Sequence, residues 1–558
     1  MKFNVASAAL LGVITSVGAI SNVTRTGRYL YTDDGNRFYI KGIAYQTQGL
    51  VISGPDNPLN QPSTFVDNLA DAAGCARDLP NLQKLGANAI RAYSVDSTLD
   101  HDSCMSALSG AGIYVIVDLT LPLNGSIDTT QPSWSTNLLD QYIKTIDVFS
   151  KYDNVLAFNV GNEVLTANAT NAAPFLKAAA RDVRAYLTSI KSSALVGYAD
   201  IDGASAFRDA VSDYLSCDPS GANSDSTSID IFGLNNYEWC GNAPTTTYDG
   251  LNTEFENYNV VAYFSEFGSE TCNPGTRVWT EVATLFASPM TNIWSGGLAF
   301  SYFSAESQGA QFGMATLSSD NSTVTTDQDF TNLVAAYGNV TIVNSPSQAS
   351  ASASSFPACP SEGTSLEAST TLPPTPNESA CDCLQSQLSC LFTPATSDYN
   401  VILGTLTGEV CGLLAQNNGN CDDISANGTT GVYGDVSGCD PTIKLSYAFS
   451  QYYELTNRAA TSCDFDKNAT LVAANTAAPS AAVSACLTSP TAVFTPSAPA
   501  GASAAAGTGS GSGSSSGSGS SGSTKSGGAV ALAPSGNALV GMAAMAGCMV
   551  VGMLWTLV

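Results

Sequence analysis

Two glutamates carry the chemistry open to this chain. Val155-Leu-Ala-Phe-Asn-Val-Gly-Asn-Glu-Val164 is an apolar run of strand length closing on Gly-Asn-Glu, which delivers a carboxyl group where the strand stops. The pattern returns in Val260-Val-Ala-Tyr-Phe-Ser-Glu-Phe-Gly268. A glycosidic bond is broken by one protonated acid and one ionised carboxylate flanking the anomeric carbon, and a separation of about 5 Å gives retention through a covalent sugar ester. Either glutamate alone is better read as a solvated strand-end acid. Two of them, each flanked by glycine on a strand buried on both faces, favour the catalytic reading. Glu163 is then the acid/base, because Asn162 beside it can donate to the sugar 2-hydroxyl, and Glu266 is the nucleophile. Each negative carboxylate makes ionisation of the other costlier, which keeps the acid protonated.

The elements that must position this pair recur in order. Strands are expected at Arg37 to Gln46, Asn88 to Ser94, Ile113 to Leu119, Val155 to Glu163, Leu195 to Asp200, Ile229 to Glu238, Val260 to Glu266 and Gly297 to Phe303. Helical periodicity lies between them at about Cys75 to Leu85, Ser135 to Tyr152 and Ala172 to Ile190. Eight apolar strands separated by helices or long loops predict an α/β (β/α)8 TIM barrel, whose active site lies at the C-terminal ends of the strands. Glu163 ends the fourth and Glu266 the seventh. Arg91 ends the second and is placed to hold Glu266 ionised by a charge-assisted hydrogen bond. Tyr93, Asp118, Tyr237 and Tyr302 also end strands and are expected to line the cleft, with Tyr237 and Tyr302 walling its acceptor side. An open doubly wound sheet would need a Gly-rich phosphate turn after the first strand, and Gly42-Ile-Ala-Tyr-Gln46 is not one.

Composition narrows the alternatives. The 558 residues carry a formal charge of −27 and a pI near 4.1, which argues against nucleic acid as a partner. The single histidine, His101, reads as a surface residue; Ser-His-Asp and Cys-His catalysis would both need it as the base, and a His-rich zinc site is impossible. No metal or cofactor is expected. Lys2 followed by the apolar run Val5 to Ala19 reads as a secretory signal over 1–19. At the other end, the uncharged apolar run Ala538 to Val558 follows a spacer and the small residues Ser526-Gly527-Gly528. That order is a GPI-attachment signal, with Ser526 or Gly527 as the site and 529–558 as the removed propeptide. Loss of the propeptide takes Cys548 and leaves fourteen of the fifteen cysteines, an even set suited to disulfides in an oxidising compartment. Candidate N-glycosylation sites at Asn22, Asn124, Asn168, Asn321, Asn339, Asn377, Asn427 and Asn468 agree with passage through the ER.

Domain boundaries follow from composition. The catalytic domain is expected over 20–344, a Ser/Ala/Pro-rich linker carrying Cys359 over 345–378, and a cysteine-rich unit over 379–489. Tyr433, Tyr447, Tyr452 and Tyr453 of that unit are available as sugar-stacking platforms or as core. Residues 490–528 form a Ser/Gly/Ala-rich stalk.

Ala44-Tyr-Gln46, Ile90-Arg-Ala-Tyr-Ser94, Gly161-Asn-Glu163, Asn235-Asn-Tyr-Glu-Trp-Cys240 and Ser265-Glu-Phe-Gly268 resemble the fungal GPI-anchored 1,3-β-glucanosyltransferases, glycoside hydrolase family 72. The cysteine-rich unit resembles the X8-type carbohydrate-binding module of family 43. The resemblance implies an enzyme that cleaves β-1,3-glucan internally and passes the new reducing end to the non-reducing end of an acceptor glucan. A secreted endo-β-1,3-glucanase and a non-catalytic wall protein are the alternatives. It implies that Gln46, Tyr93, Asp118, Asn162, Tyr237 and Tyr302 surround the sugar. It also implies disulfides Cys75–Cys104, Cys217–Cys359, Cys240–Cys272, Cys381–Cys439, Cys383–Cys486, Cys390–Cys463 and Cys411–Cys421. The expected setting is the cell surface, with a monomer held to the plasma membrane through a GPI lipid or moved into the wall.

Overall fold

The structure, a computed structural model, describes residues 20–51, 62–122, 125–270, 275–307, 310–396 and 399–487, with Pro496. The signal segment, Asn124, Cys272, the rest of the stalk, both candidate GPI residues and the propeptide lie outside the described residues.

Eight parallel strands close into a barrel: β1 (Ile40–Ala44), β2 (Ala89–Ala92), β3 (Tyr114–Asp118), β4 (Val155–Asn162), β5 (Leu195–Ile201), β6 (Ile231–Asn235), β7 (Val261–Phe267) and β8 (Trp294–Ala299). Each pairs with its sequence neighbour, and β8 returns to β1. Alternate side chains divide two apolar layers, as the period of a strand requires. Ile40, Ala89, Ile116, Ala157, Leu195, Ile231, Val261, Tyr263 and Leu298 fill the barrel interior. Ile90, Val115, Val117, Phe158, Val160, Val196 and Tyr198 face outward to the helices. Among those helices are α1 (Ala72–Leu85), α2 (Asp102–Gly110), α3 (Thr136–Phe149), α4 (Ala173–Ser189), α5 (Ser205–Ser216), α6 (Asp249–Glu254), α7 (Glu281–Leu285) and α8 (Gln328–Gly338). Helix α1 starts where the Asp71 side chain accepts from the Gly74 N–H at 3.0 Å. It stops at Gly86, whose φ of +63° is the left-handed cap glycine supplies without strain.

The structure corrects the expected strand limits. Arg37 and Phe38 belong to a three-stranded antiparallel sheet with residues 23–26 and 29–32, not to the first barrel strand. That sheet puts Val23, Leu30 and Phe38 against the barrel interior. The eighth strand ends at Ala299, before Tyr302. His101 is buried rather than superficial: its ring packs at a tilt against Phe149, centres 4.6 Å apart, and its Nε2 lies 2.8 Å from Asp67 Oδ2.

Residues 356–375 run along the barrel instead of spanning open solvent. Phe356, Leu366 and Ala368 join the outer apolar layer, and Cys359 pairs with Cys217. The cysteine-rich unit then builds α9 (Glu378–Gln387), α10 (Asn400–Gln416), α11 (Pro441–Leu455) and α12 (Pro479–Cys486). Disulfides Cys381–Cys439, Cys383–Cys486, Cys390–Cys463 and Cys411–Cys421 tie these together, and Cys75–Cys104 joins α1 to α2. Two small apolar clusters could not by themselves stabilise a unit of this size, so its cross-links contribute much of the stability.

This packing reassigns most of the tyrosines considered for sugar stacking. Tyr447 is fully buried with its hydroxyl on Asp423, and Tyr453 is buried in the unit's core. Tyr433 packs edge-on against Phe175 of α4, ring centres 5.7 Å apart, and donates to the Thr371 carbonyl. Backbone bonds reinforce that seam: Thr136 N–H donates to Gly438 O at 3.0 Å, and Ser369 N–H to Gly428 O at 2.8 Å. Arg181 of α4 donates to Pro373 O at 2.8 Å.

Candidate active site

Both glutamates reach the mouth of the barrel by the same backbone device. The β4–β5 register slips between Asn159 and Asn162, and the β7–β6 register slips between Phe264 and Glu266. An irregularity of this kind bends a strand and re-aims the next side chain. Glu163 then adopts φ +52°, a left-handed conformation that costs a non-glycine residue about 1 kcal/mol or more and persists only where its surroundings fix it. Here the Glu163 N–H donates to Ala199 O at 2.9 Å, and the Leu165 N–H to the Tyr198 hydroxyl at 3.0 Å.

The two carboxyl groups line one cleft of about 670 Å³ together with Gln46, Tyr93, Asp118, Asn162, Asn235, Tyr237, Phe300 and Phe312. Tyr93 and Tyr237 donate their hydroxyls to Glu266 Oε1 and Oε2, each at 2.7 Å. Arg91 Nη1 stands 3.4 Å from Oε1. Asn235 is the link between the acids: its Nδ2 donates to Glu163 Oε1 at 2.8 Å and approaches Asn162 Oδ1 at 3.2 Å. Ser265 donates to Asn235 Oδ1 at 2.7 Å, which fixes the direction of that amide. Asn162 Oδ1 accepts from Arg91 Nη2 at 2.8 Å, so one network runs from Glu163 to Glu266.

Arg91 is fully buried, and its shortest ion pair is with Asp118, at 2.6 Å, rather than with Glu266. Burial opposes its charge, but Asp118, Tyr93 and Glu266 together hold it firmly protonated. Asp118 borders the cleft floor, yet its oxygens accept from Arg91 and from Asn159 Nδ2 at 2.6 Å. Both of its oxygens are thus engaged by side chains of the protein. Gln46 is similarly engaged: its Oε1 accepts from the Tyr93 and Ser94 N–H groups, and its Nε2 donates to Val66 O.

Tyr302 does not line the cleft. Past the end of β8 its N–H bonds to Ala44 O at 2.9 Å, and the ring turns out into the layer between α1 and α8. Its hydroxyl donates to Asp78 Oδ1 and accepts from Asn81, each at 3.1 Å. Phe300 and Phe312 stand where Tyr302 was expected. Asn235, Phe300 and Phe312 are among the cleft residues that the sequence reading passed over. Asn235 lies inside a quoted motif and at a strand end, a signal that could have found it; Phe312 sits in a loop with no such pattern.

Burial raises the pKa of both acids. Glu266 reaches about 7: desolvation dominates, Arg91 and the two tyrosine hydroxyls pull the other way, and Glu163 adds repulsion. Glu163 is raised by burial against the Asn235 amide and Arg91. Burial and the neighbouring Glu266 charge push Tyr93 and Tyr237 well above the ordinary phenol range, so both remain donors. Two carboxyl groups in one buried network at neutral pH share a proton more cheaply than they both ionise. Donors on both Glu266 oxygens favour the anion there.

Comparison with known proteins bears on family and fold. The family described as Glucanosyltransferase matches residues 14–341, and the X8 domain matches residues 388–470. The 1,3-beta-glucanosyltransferase gas1 of Schizosaccharomyces pombe is 38% identical, over 86% of this chain and 84% of its own. The 1,3-beta-glucanosyltransferase GAS2 of Saccharomyces cerevisiae is 35% identical, over 76% of this chain and 75% of its own. A crystal structure of a Saccharomyces cerevisiae Gas2p mutant without ligand superposes with a TM-score of 0.72 at 33% identity, covering 83% of this chain and 94% of that one.

Proposed function

The chain belongs to the glucanosyltransferase family, and from that membership we propose how its own residues carry out transglycosylation of β-1,3-glucan. The observation that carries the mechanism is the unequal treatment of two carboxyl groups in one cleft, with Arg91 and two hydroxyls directed at Glu266.

Glu163, protonated, gives its proton to the glycosidic oxygen as Glu266 attacks the anomeric carbon. The aglycone leaves, and the sugar remains as an ester on Glu266. Glu163, now ionised, takes the proton of a hydroxyl at the non-reducing end of an acceptor glucan, which displaces Glu266 and restores both groups. Asn235 orients the acid, and Asn162 offers its amide nitrogen to the sugar. Aromatic faces at Tyr237, Phe300 and Phe312 raise the effective concentration of acceptor over water.

The enzyme is proposed to be made with a signal segment over 1–19 and to exchange 529–558 for a GPI lipid at Ser526 or Gly527. It would then act as a monomer at the plasma membrane or wall, with 379–489 as the carbohydrate-binding module. Among the described residues no helix is long and apolar enough to cross a membrane.

Incubation with a reduced laminari-oligosaccharide tests the reading. Products longer than the substrate are expected; only shorter ones would make the protein a hydrolase. Glu266→Gln is expected to abolish elongation while the protein remains folded and retains glucan, and undiminished turnover would remove Glu266 from the mechanism.

A further inference from the structure

Behind the cleft's aromatic wall lies a second buried arginine with no part in the mechanism so far. Arg277 follows β7 and precedes α7, and its guanidinium is spent on backbone carbonyls at the barrel mouth. Nη1 donates to Phe300 O at 2.6 Å and reaches Gly268 O at 3.3 Å, while Nη2 donates to Phe312 O at 2.7 Å. Nε is held by Asp329 Oδ2 at 2.8 Å and lies 3.0 Å from Glu270 Oε1. Asp329 also accepts the Arg277 N–H at 2.9 Å, and the guanidinium stacks over Trp279 at 4.5 Å. One planar fork therefore fastens three separate backbone segments: the end of β7 just past Glu266, the end of β8, and the loop that carries Phe312.

The rings so fastened touch the two tyrosines that hold Glu266. Phe300 meets Tyr93 edge-on at 6.3 Å and Tyr237 at 6.5 Å; Phe312 meets Tyr237 at 5.6 Å and Phe300 at 5.5 Å. We propose that Arg277 is a positioning residue for the nucleophile, acting through Phe300 and Phe312 on the ring placement of Tyr93 and Tyr237. This rests on the reading of Glu266 as nucleophile. The wall is a relay of packed contacts from an arginine outside the barrel to a carboxylate inside it. Lysine cannot replace that arginine, because a single ammonium cannot serve three carbonyls and a carboxylate in one plane.

The charged and titratable groups around both ends are few. Glu266 is faced by Arg91 from β2 and Tyr93 just after it, Asp118 through Arg91, Tyr263 from β7, Tyr237 after β6, and Glu163 after β4. Arg277 is faced by Glu270 after β7, Asp329 of α8, Asp327 just before it, and Glu281 of α7.

The experiment is the pH dependence of kcat/KM for glucan elongation by the whole protein carrying Arg277→Lys. Loosened tyrosine donors make Glu266 easier to protonate, so the acidic limb moves to higher pH and activity below it falls about tenfold per unit of displacement. A lowered melting temperature with the acidic limb unmoved would overturn the proposal, since a merely structural arginine gives that result. Should Arg277→Lys fail to fold, Phe312→Leu interrupts the same relay and must displace the limb in the same direction; an unmoved limb there also overturns it. Glu270→Gln leaves Asp329 on Arg277 and is expected to keep the wild-type limb, whereas displacement would mean that the limb reports Glu270. An inactive Glu266→Gln beside an unmoved Arg277→Lys profile would sink this inference alone, and an active Glu266→Gln would sink the reading beneath it.

Discussion

Replacing Tyr237 with phenylalanine removes one hydroxyl from Glu266 and little else. The ring keeps its edge-on packing against Phe312 at 5.6 Å, while the 2.7 Å bond to Oε2 is lost. A hydrogen bond to a charged acceptor contributes about 1.5–3 kcal/mol, and one pKa unit corresponds to about 1.4 kcal/mol. Glu266, already pushed to about 7 by burial, should therefore hold its proton about one to two pH units further up. The sign is unambiguous: only ionised Glu266 attacks, so a raised pKa moves the acidic limb of kcat/KM upward and narrows the bell from that side. At a fixed pH below the limb the loss is about 10–100-fold. The assay is elongation of a reduced laminari-oligosaccharide, with initial rates taken from about pH 4 to about pH 9. Thermal melts should change little, because the ring stays. A uniform loss at every pH with the limb unmoved would refute the reasoning and assign the hydroxyl to sugar contact.

Asp118→Ala would strand the fully buried Arg91 charge and should destabilise the barrel by about 3–5 kcal/mol, read as a large fall in melting temperature; a small fall would mean that Glu266 alone suffices as counter-ion. Tyr302→Phe should cost about 1 kcal/mol of stability through the lost Asp78 and Asn81 bonds and leave KM for glucan unchanged. A tenfold rise in KM would return that ring to the cleft.

The barrel could be read because its strands are nearly unbroken apolar runs, the pattern of strands covered on both faces, and because Gly161-Asn-Glu163 and Glu266-Phe-Gly268 punctuate two of them. What was missed lies where periodicity stops carrying information. Extending the eighth strand to Phe303 assigned Tyr302 to the cleft, but alternation lapses after Ala299, and a backbone bond to Ala44 sends the ring the other way. The sequence near His101 is polar, yet its partners in the fold, Asp67 and Phe149, lie far along the chain. Asp118 and Gln46 were legible as residues at the mouth. That their polar atoms are engaged by Arg91, Asn159 and local backbone could not be read along the chain, because those partners come from other strands and loops.

The seam between barrel and cysteine-rich unit changes how their cooperation would be measured. Two bodies on a loose tether share a ligand through an effective concentration that declines gradually as the tether lengthens. Here residues 356–375 are bonded to α4 and α5 on one side and to the Asn427–Gly438 region on the other. The interval between the two is therefore set by packing rather than by chain statistics. A glucan able to bridge that interval would gain affinity abruptly at one chain length, and shorter chains would see the barrel alone.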